Sequence, residues 1–429
     1  MTNSIHPAAN WIHHTNIYEV NLRQYTVEGT FNAFAKELPR LRDMGVEVLW
    51  FMPIHPISKL GRKGVLGSYY AIENYADTNP EFGTINDFKN IVQAAHALGF
   101  KVIIDWVANH SGNDNVWIAE HRDFFVQDAE GNILHPYDWD DVSKLNYDNP
   151  QLRKTMIDTM QFWINECGID GFRCDMAHLV PLDFWEEARA AIDKTKADLF
   201  WLAETEDIAY HQVFDASYTW EWMHKTEDYC KGYTDMNGLY SILDKYKNDF
   251  PATAYRAYFT SNHDENSHTG TEYDKFGDAA KALAVFSCTW NGIPLIYSGQ
   301  ELPNLKKLAF FEKDVIAWTG KYELHDFYKT LLSLKKNNGA MSSANASAPL
   351  TILQTDKPSQ VMAFIRQSGN DAVLVLLNLS KENLWPGIHD EKIRGKYKNI
   401  FSGEVYVFDA DRYFDMPAWS YLVYEKQNA

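Results

Sequence analysis

Four carboxylic acids stand at the ends of short apolar runs, where an acid has no structural reason to be. Asp105 closes Lys101-Val-Ile-Ile-Asp105, and Asp175 closes Gly171-Phe-Arg-Cys-Asp175. Glu204 closes Leu199–Glu204, and Asp264 follows Arg256–Ser261 by way of Asn262 and His263. A single acid at a strand end is ordinary, but four of them desolvated at one end of a fold are costly unless they are used. Two uses compete: binding a divalent cation, or acid and base work on a neutral substrate. Arg173 bears on that choice. It lies two residues before Asp175, so on a strand the two side chains point to the same side. The guanidinium would keep that carboxylate ionised and would compete with any metal for it. One carboxylate held charged beside another able to carry a proton is what glycoside hydrolysis requires. His110, after Asn109, and His263, before Asp264, add neutral or cationic donors beside the same acids.

These residues can meet only if the runs that carry them are neighbours. Asn16–Leu22 alternates and reads as a strand, and Phe31, Phe34, Leu38 and Leu41 follow at helical spacing. Pro39 should kink that helix or begin a new segment. Val46–Met52 is a second strand. Thr84 to Asp87 forms a capping box before Phe88, Ile91, Val92, Ala95 and Leu98, with Gly99 as terminator. Lys101–Asp105 is the third strand. After a long polar and aromatic stretch, Asn149-Pro150 starts a helix that runs to about Cys167. Strands then recur at 171–175, 199–204, 213–216, 256–261 and 293–297, with helical patterns between them. Eight such units close a TIM (β/α)8 barrel, which places all four acids at its C-terminal mouth. An open doubly wound sheet is the alternative.

The barrel is expected over 1–110 and 149–344. Residues 111–148 are too long for an ordinary loop and read as an inserted subdomain after strand 3. From about Met341 a small-residue linker leads into alternating runs without helix between them, read as a C-terminal antiparallel β-sandwich over 345–429.

Composition removes other classes. The 58 acids against 40 bases give a formal charge of −18, which argues against nucleic acid as a partner. No stretch approaches the length of a membrane span, so no membrane insertion is expected. The first residues show no basic region followed by an apolar run, so the chain as written is expected in the cytoplasm, or outside it if a leader was removed. Cys167, Cys174, Cys230 and Cys288 lack metal-type spacing and read as reduced thiols. Tyr and Trp are abundant, and rings with polar tips suit amphipathic ligands such as sugars. The oligomeric state stays open.

Asp105–His110, Gly171–Asp175, Glu204 within Leu202-Ala-Glu-Thr205, and Phe259–Asp264 together resemble, in order, the four signatures of the alpha-amylase family of glycoside hydrolases. Gly45–Pro53, Leu145-Asn-Tyr147 and Gly292–Glu301 resemble its lesser segments, so the likeness covers nearly the whole chain. It implies a retaining hydrolase of α-glucosidic bonds, most simply α-1,4 bonds of starch-type glucans or maltooligosaccharides. Asp175 would be the nucleophile, Glu204 the general acid and base, and Asp264 the transition-state stabiliser. Arg173 would orient Asp175, His110 and His263 would bind the sugar, and Tyr70, rather than Tyr69, would stack beneath it. The chemistry implies no cofactor and no metal. For a structural calcium, Asn109 is the only motif-matched position, and 111–148 shows no partner carboxylates by motif. Leu179 stands where many members carry His, and Met176 is neither the Thr nor the Val that would hint at linkage. A glucanotransferase, an α-1,6-acting glucosidase and a non-catalytic sugar-binding relative are the alternatives.

Overall fold

In a computed structural model the chain is described over residues 8–343 and 348–427. Eight parallel strands close a barrel: β1 Ile17–Val20, β2 Val48–Phe51, β3 Lys101–Trp106, β4 Gly171–Cys174, β5 Phe200–Ala203, β6 Ala216–Tyr218, β7 Tyr255–Tyr258 and β8 Ile293–Tyr297. Each strand hydrogen-bonds its sequence neighbours and β1 pairs with β8, so no edge is left open. Every residue of β2 and of β4 through β8 is buried. That burial explains why these strands read as short continuous apolar runs. The strand expected at 213–216 falls three residues later, because Val213 to Asp215 complete the turn that enters β6.

The helices follow their local signals. Asn149 caps Pro150–Cys167 by accepting from Gln151 N and Leu152 N, and Gly168 ends it in the left-handed region at φ 74°. Thr84 and Asp87 form the capping box of Ile85–Ala97. Pro39 begins a new segment, Leu38–Met44, rather than bending one long helix.

Entry into β4 depends on two residues. A Cβ on Gly171 would lie 1.9 Å from the carbonyl oxygen of Phe200, so only glycine lets β4 and β5 approach. Asp170 fastens the base of the barrel. Its carboxylate accepts from Val102 N at 2.9 Å and pairs with His96 at 2.7 Å and with Lys101 and Lys196 at 3.2 Å each. Burial alone would raise this acid. The His96 and Val102 hydrogen bonds and the Lys196 charge outweigh it and hold the pKa at about 2.

Residues 110–148 leave the barrel above β3. A hairpin of His110–Gly112 with Val142–Lys144 forms the base of this excursion. At the other end of the chain a six-stranded antiparallel sheet begins at Leu350, and a two-stranded ribbon packs with it around a second core that includes Ile365, Leu374, Ile388, Phe408 and Met416. This is the expected sandwich. The expected boundary at 344/345 lies outside the described residues. The buried Arg366 of the sandwich binds it to the barrel by donating to Trp290 O and Ser342 O, while Lys335, on the barrel's last helix, donates to Gly292 O and Met341 O within the barrel. Among the described residues, no helix is long and apolar enough to cross a membrane.

Because the folded-state pKa of Asp170 is depressed, its stabilisation is present above the ordinary carboxylate range and is lost as pH falls through about 2. Asp170→Ala should therefore remove about 2 kcal/mol at neutral pH. The apparent melting temperature at pH 7 should drop, and the deficit should shrink below pH 4. An unchanged melting temperature at pH 7 would remove this role.

Candidate active site

The strand ends bring the four acids to one mouth, around Arg173. This side chain is wholly buried and stacks against Trp50 at 4.9 Å and Tyr218 at 5.4 Å. Its Nη1 donates to Asp105 Oδ1 at 3.0 Å and to Asp175 Oδ1 at 2.9 Å. Its Nη2 lies 2.9 Å from Glu204 Oε2, but its N–H groups are not aimed at that oxygen, so this contact is a charge pair rather than a hydrogen bond. Registry accounts for the meeting. Asp105 faces Arg173 across β3 and β4, and Cys174 faces Ala203 across β4 and β5. Asp175 and Glu204 therefore occupy the next register position on adjacent strands.

The arginine does less for Asp175 than the sequence alone implies. Burial and the neighbouring Glu204 push the Asp175 carboxyl well above the ordinary range, with Arg173 opposing them. The reason is sharing, since three buried carboxylates close on one guanidinium. Asp105 is likewise pushed up to about 6 by burial, against Arg173 and His263. Asp175 and Glu204 differ in the donors that reach them. Asp175 receives a directed N–H from Arg173, whereas Glu204 Oε2 receives the Met176 backbone N–H at 3.0 Å. Met176 presents that N–H from a left-handed conformation, φ 42° and ψ 43°, which is costly for a side chain with a Cβ.

His263 joins the acid at β7 to the others. Its Nδ1 lies 2.5 Å from Glu19 Oε1, and its Nε2 lies 2.7 Å from the Tyr70 hydroxyl and 3.3 Å from Asp264 Oδ2. Burial lowers the imidazole, but the charges of Asp264 and Glu19 outweigh it and raise its pKa to about 9. His263 is thus a cation at neutral pH. Tyr70 stacks on it at 5.3 Å and donates to Asp105 Oδ2, while Tyr69 points away to Asn21. Asp264 is the most open of the acids, its side chain 36% exposed. His110 sits at the base of the inserted hairpin with Asn109 Nδ2 at 3.1 Å from its Nδ1, and burial lowers it to about 4. The Tyr75 hydroxyl fixes the loop beneath it, donating to Val107 O and His110 O. The Asn109 amide is engaged with His110. Among the described residues, no group of three or more His, Cys, Asp or Glu side chains is placed to hold a metal ion.

Seven of the eight residues singled out in the sequence, Asp105, Asp175, Glu204, Asp264, Arg173, His263 and Tyr70, meet in this network, and His110 stands at the base of the inserted hairpin after β3. Three further residues there were not singled out. Tyr218, on β6, accepts from Arg173 Nε at 3.2 Å, and Phe310 stacks on Tyr70 at 6.4 Å. The third, Glu19, had a legible signal: it is the only acid in the buried strand Ile17-Tyr-Glu-Val20.

The catalytic-domain profile of alpha-amylases matches residues 12–142 and 127–338. The chain belongs to the alpha-amylase family. This member is 30% identical to a maltogenic alpha-amylase of Thermotoga neapolitana, with a TM-score of 0.89 over 97% of this chain and 100% of that one. It is 28% identical to an alpha-amylase of Lactobacillus plantarum, with a TM-score of 0.87 over 97% and 99% of the two chains. An alpha-amylase of Haloarcula japonica is 27% identical over 397 residues, which are 88% of this chain and 57% of the relative. A maltosyltransferase of Mycobacterium tuberculosis is 37% identical over 198 residues, 42% of this chain and 28% of that protein. The chain thus spans little more than half of the haloarchaeal relative and under a third of the mycobacterial one.

Removing the Glu19 charge should lower the pKa of His263. In Glu19→Gln, the His263 midpoint read by histidine-selective NMR should fall from about 9 by one unit or more. A midpoint that stays near 9 would show that Asp264 alone holds the proton.

Proposed function

We propose that this chain is a retaining hydrolase of α-glucosidic bonds, acting on α-1,4-linked glucans or maltooligosaccharides. The observation that carries this reading is the placement of Asp175 and Glu204 at the same register position on adjacent parallel strands. Each carboxylate lies 2.9 Å from a different Nη nitrogen of the one Arg173 guanidinium, which holds the two carboxyl groups close together. Such closeness fits the ~5–5.5 Å carboxyl separation of retaining enzymes, whereas inverting enzymes need about 6.5–9.5 Å to admit a water.

Asp175, oriented by Arg173, attacks the anomeric carbon while Glu204 protonates the departing glycosidic oxygen. The C–O bond to the leaving sugar breaks as the Asp175 ester forms. Glu204, now a carboxylate, takes a proton from water, whose oxygen displaces Asp175 and restores both groups. Asp264, the most open acid, holds ring hydroxyls as positive charge develops at the anomeric centre. His263, as a cation, and His110, neutral, bind sugar hydroxyls, with Tyr70 beneath the ring. The same ester can be opened by a sugar hydroxyl instead of water, so the hydrolase and transferase readings share every step up to the acceptor. No metal takes part in these steps.

Freshly formed product from maltotetraose should appear first as the α-anomer in proton NMR, and a β-anomer appearing first would overturn the retaining assignment. Asp175→Asn should lower kcat by about four orders of magnitude or more without lowering the melting temperature. The second part follows from sign: an acid raised by burial is a cost to the folded state that grows as pH rises above the carboxylate range. Dialysis against EDTA should leave activity unchanged, and a loss restored by added calcium would refute metal independence. Accumulation of products longer than the substrate on maltotriose would favour the transferase.

A further inference from the structure

The two-stranded ribbon of the C-terminal domain carries an aromatic surface that the barrel chemistry does not use. Gly387–His389 pairs antiparallel with Asp411–Tyr413, with Gly387 opposite Tyr413 and His389 opposite Asp411. The bridge between Leu384 and Met416 continues the same register, which sets Trp385 opposite Asp415. Side chains alternate on such a ribbon. Leu384, Ile388, Phe414 and Met416 turn into the core of the domain. Trp385 and Tyr413 turn outward, 59% and 56% exposed.

The outward face is built rather than incidental. A Cβ on Gly387 would come within 2.8 Å of the Tyr413 ring, so that ring lies over the glycine backbone. Gly387 does not have a positive φ, so its missing side chain serves the ring and not the chain conformation. His389 stands edge-on to Tyr413 at 5.9 Å and holds Asp411 at 2.6 Å through its Nδ1. The result is a row of a Trp, a flat-lying Tyr and an imidazole, edged by the carboxylates of Asp411 and Asp415.

Area and charge select the occupant. Two rings of roughly 150–250 Å² each, little more than half exposed, offer on the order of 200–300 Å². A stable protein interface needs about 800 Å² from each partner. Acids along the edge disfavour anionic lipid or nucleic acid. A sugar chain fits: its C–H faces stack on rings, and its hydroxyls donate to carboxylates. We infer that Trp385 and Tyr413 form a second carbohydrate site, which binds a segment of α-glucan chain and holds polymeric substrate to the enzyme away from the cleft. The choice of α-glucan rests on the function proposed above.

Electrophoresis of the full chain through gels containing amylopectin tests this, with dextran gels as the control. Trp385→Ala/Tyr413→Ala should weaken the retardation by amylopectin about five-fold or more. Its melting temperature and its kcat/KM on maltotriose, which is too short to span both sites, should stay unchanged. Gly387→Ala keeps both rings but displaces Tyr413, and should weaken retardation in the same direction. Retardation equal to wild type in both variants would overturn the site. So would equal loss in dextran gels, or a wild-type dimer in light scattering that the double variant dissociates. A wild-type protein inactive on maltotriose but retarded by amylopectin would remove the hydrolase reading and leave this site standing.

Discussion

Arg173 is the charge around which the mouth of the barrel is assembled. It is fully buried, walled by Trp50 and Tyr218, and touched by acids from three consecutive strands, β3, β4 and β5. A buried guanidinium is tolerable only if it is paired, and a buried carboxylate only if it has a cation or a proton. Here one cation serves three carboxylates, so the cluster cannot be fully ionised and electrically balanced. Of the two acids on adjacent strands, Asp175 has a directed hydrogen bond from the arginine, and Glu204 has a charge contact and a backbone N–H. The asymmetry needed for acid and nucleophile arises from hydrogen-bond direction, not from a difference in residue type.

A second cation, the His263 imidazolium, compensates on the other side of the mouth. It exists because Glu19 and Asp264 flank it, and Tyr70 connects it through Asp105 back to Arg173. The mouth is thus one continuous polar network running from β1 through β7, β3 and β4 to β5. The rigid barrel beneath supplies what the network needs, because parallel registry fixes each donor and acceptor before substrate arrives. The cost shows locally, in the left-handed Met176 and in the raised carboxyls of Asp175 and Asp105. The ion pairs of Asp170 at the opposite end offset part of it.

Most of the fold was legible because its signals are local. Proline after asparagine, a Thr-to-Asp capping box and glycine after an apolar helical stripe each act within a few residues, and each lies where expected. The strand at 213–216 was misplaced because three turn residues precede it and its own run is only three residues long. Glu19 was overlooked for a different reason. Its place as an acid in a buried strand is legible, but its partner His263 is 244 residues away and nothing within β1 identifies it.

The identities and order of the chemical groups were determined by sequence alone: an acid at the end of each of four apolar runs, an arginine two residues before one of them, and the signatures that contain them. Those suffice for the barrel, the family and the expected roles, because strand periodicity and helix caps are short-range. Tertiary structure alone decided how many carboxylates share Arg173, that Asp175 is raised rather than held low, and that His263 is charged. Each of these is a sum over groups brought together by barrel closure. Desolvation and Coulomb interaction depend on distance in space, and the sequence records only distance along the chain.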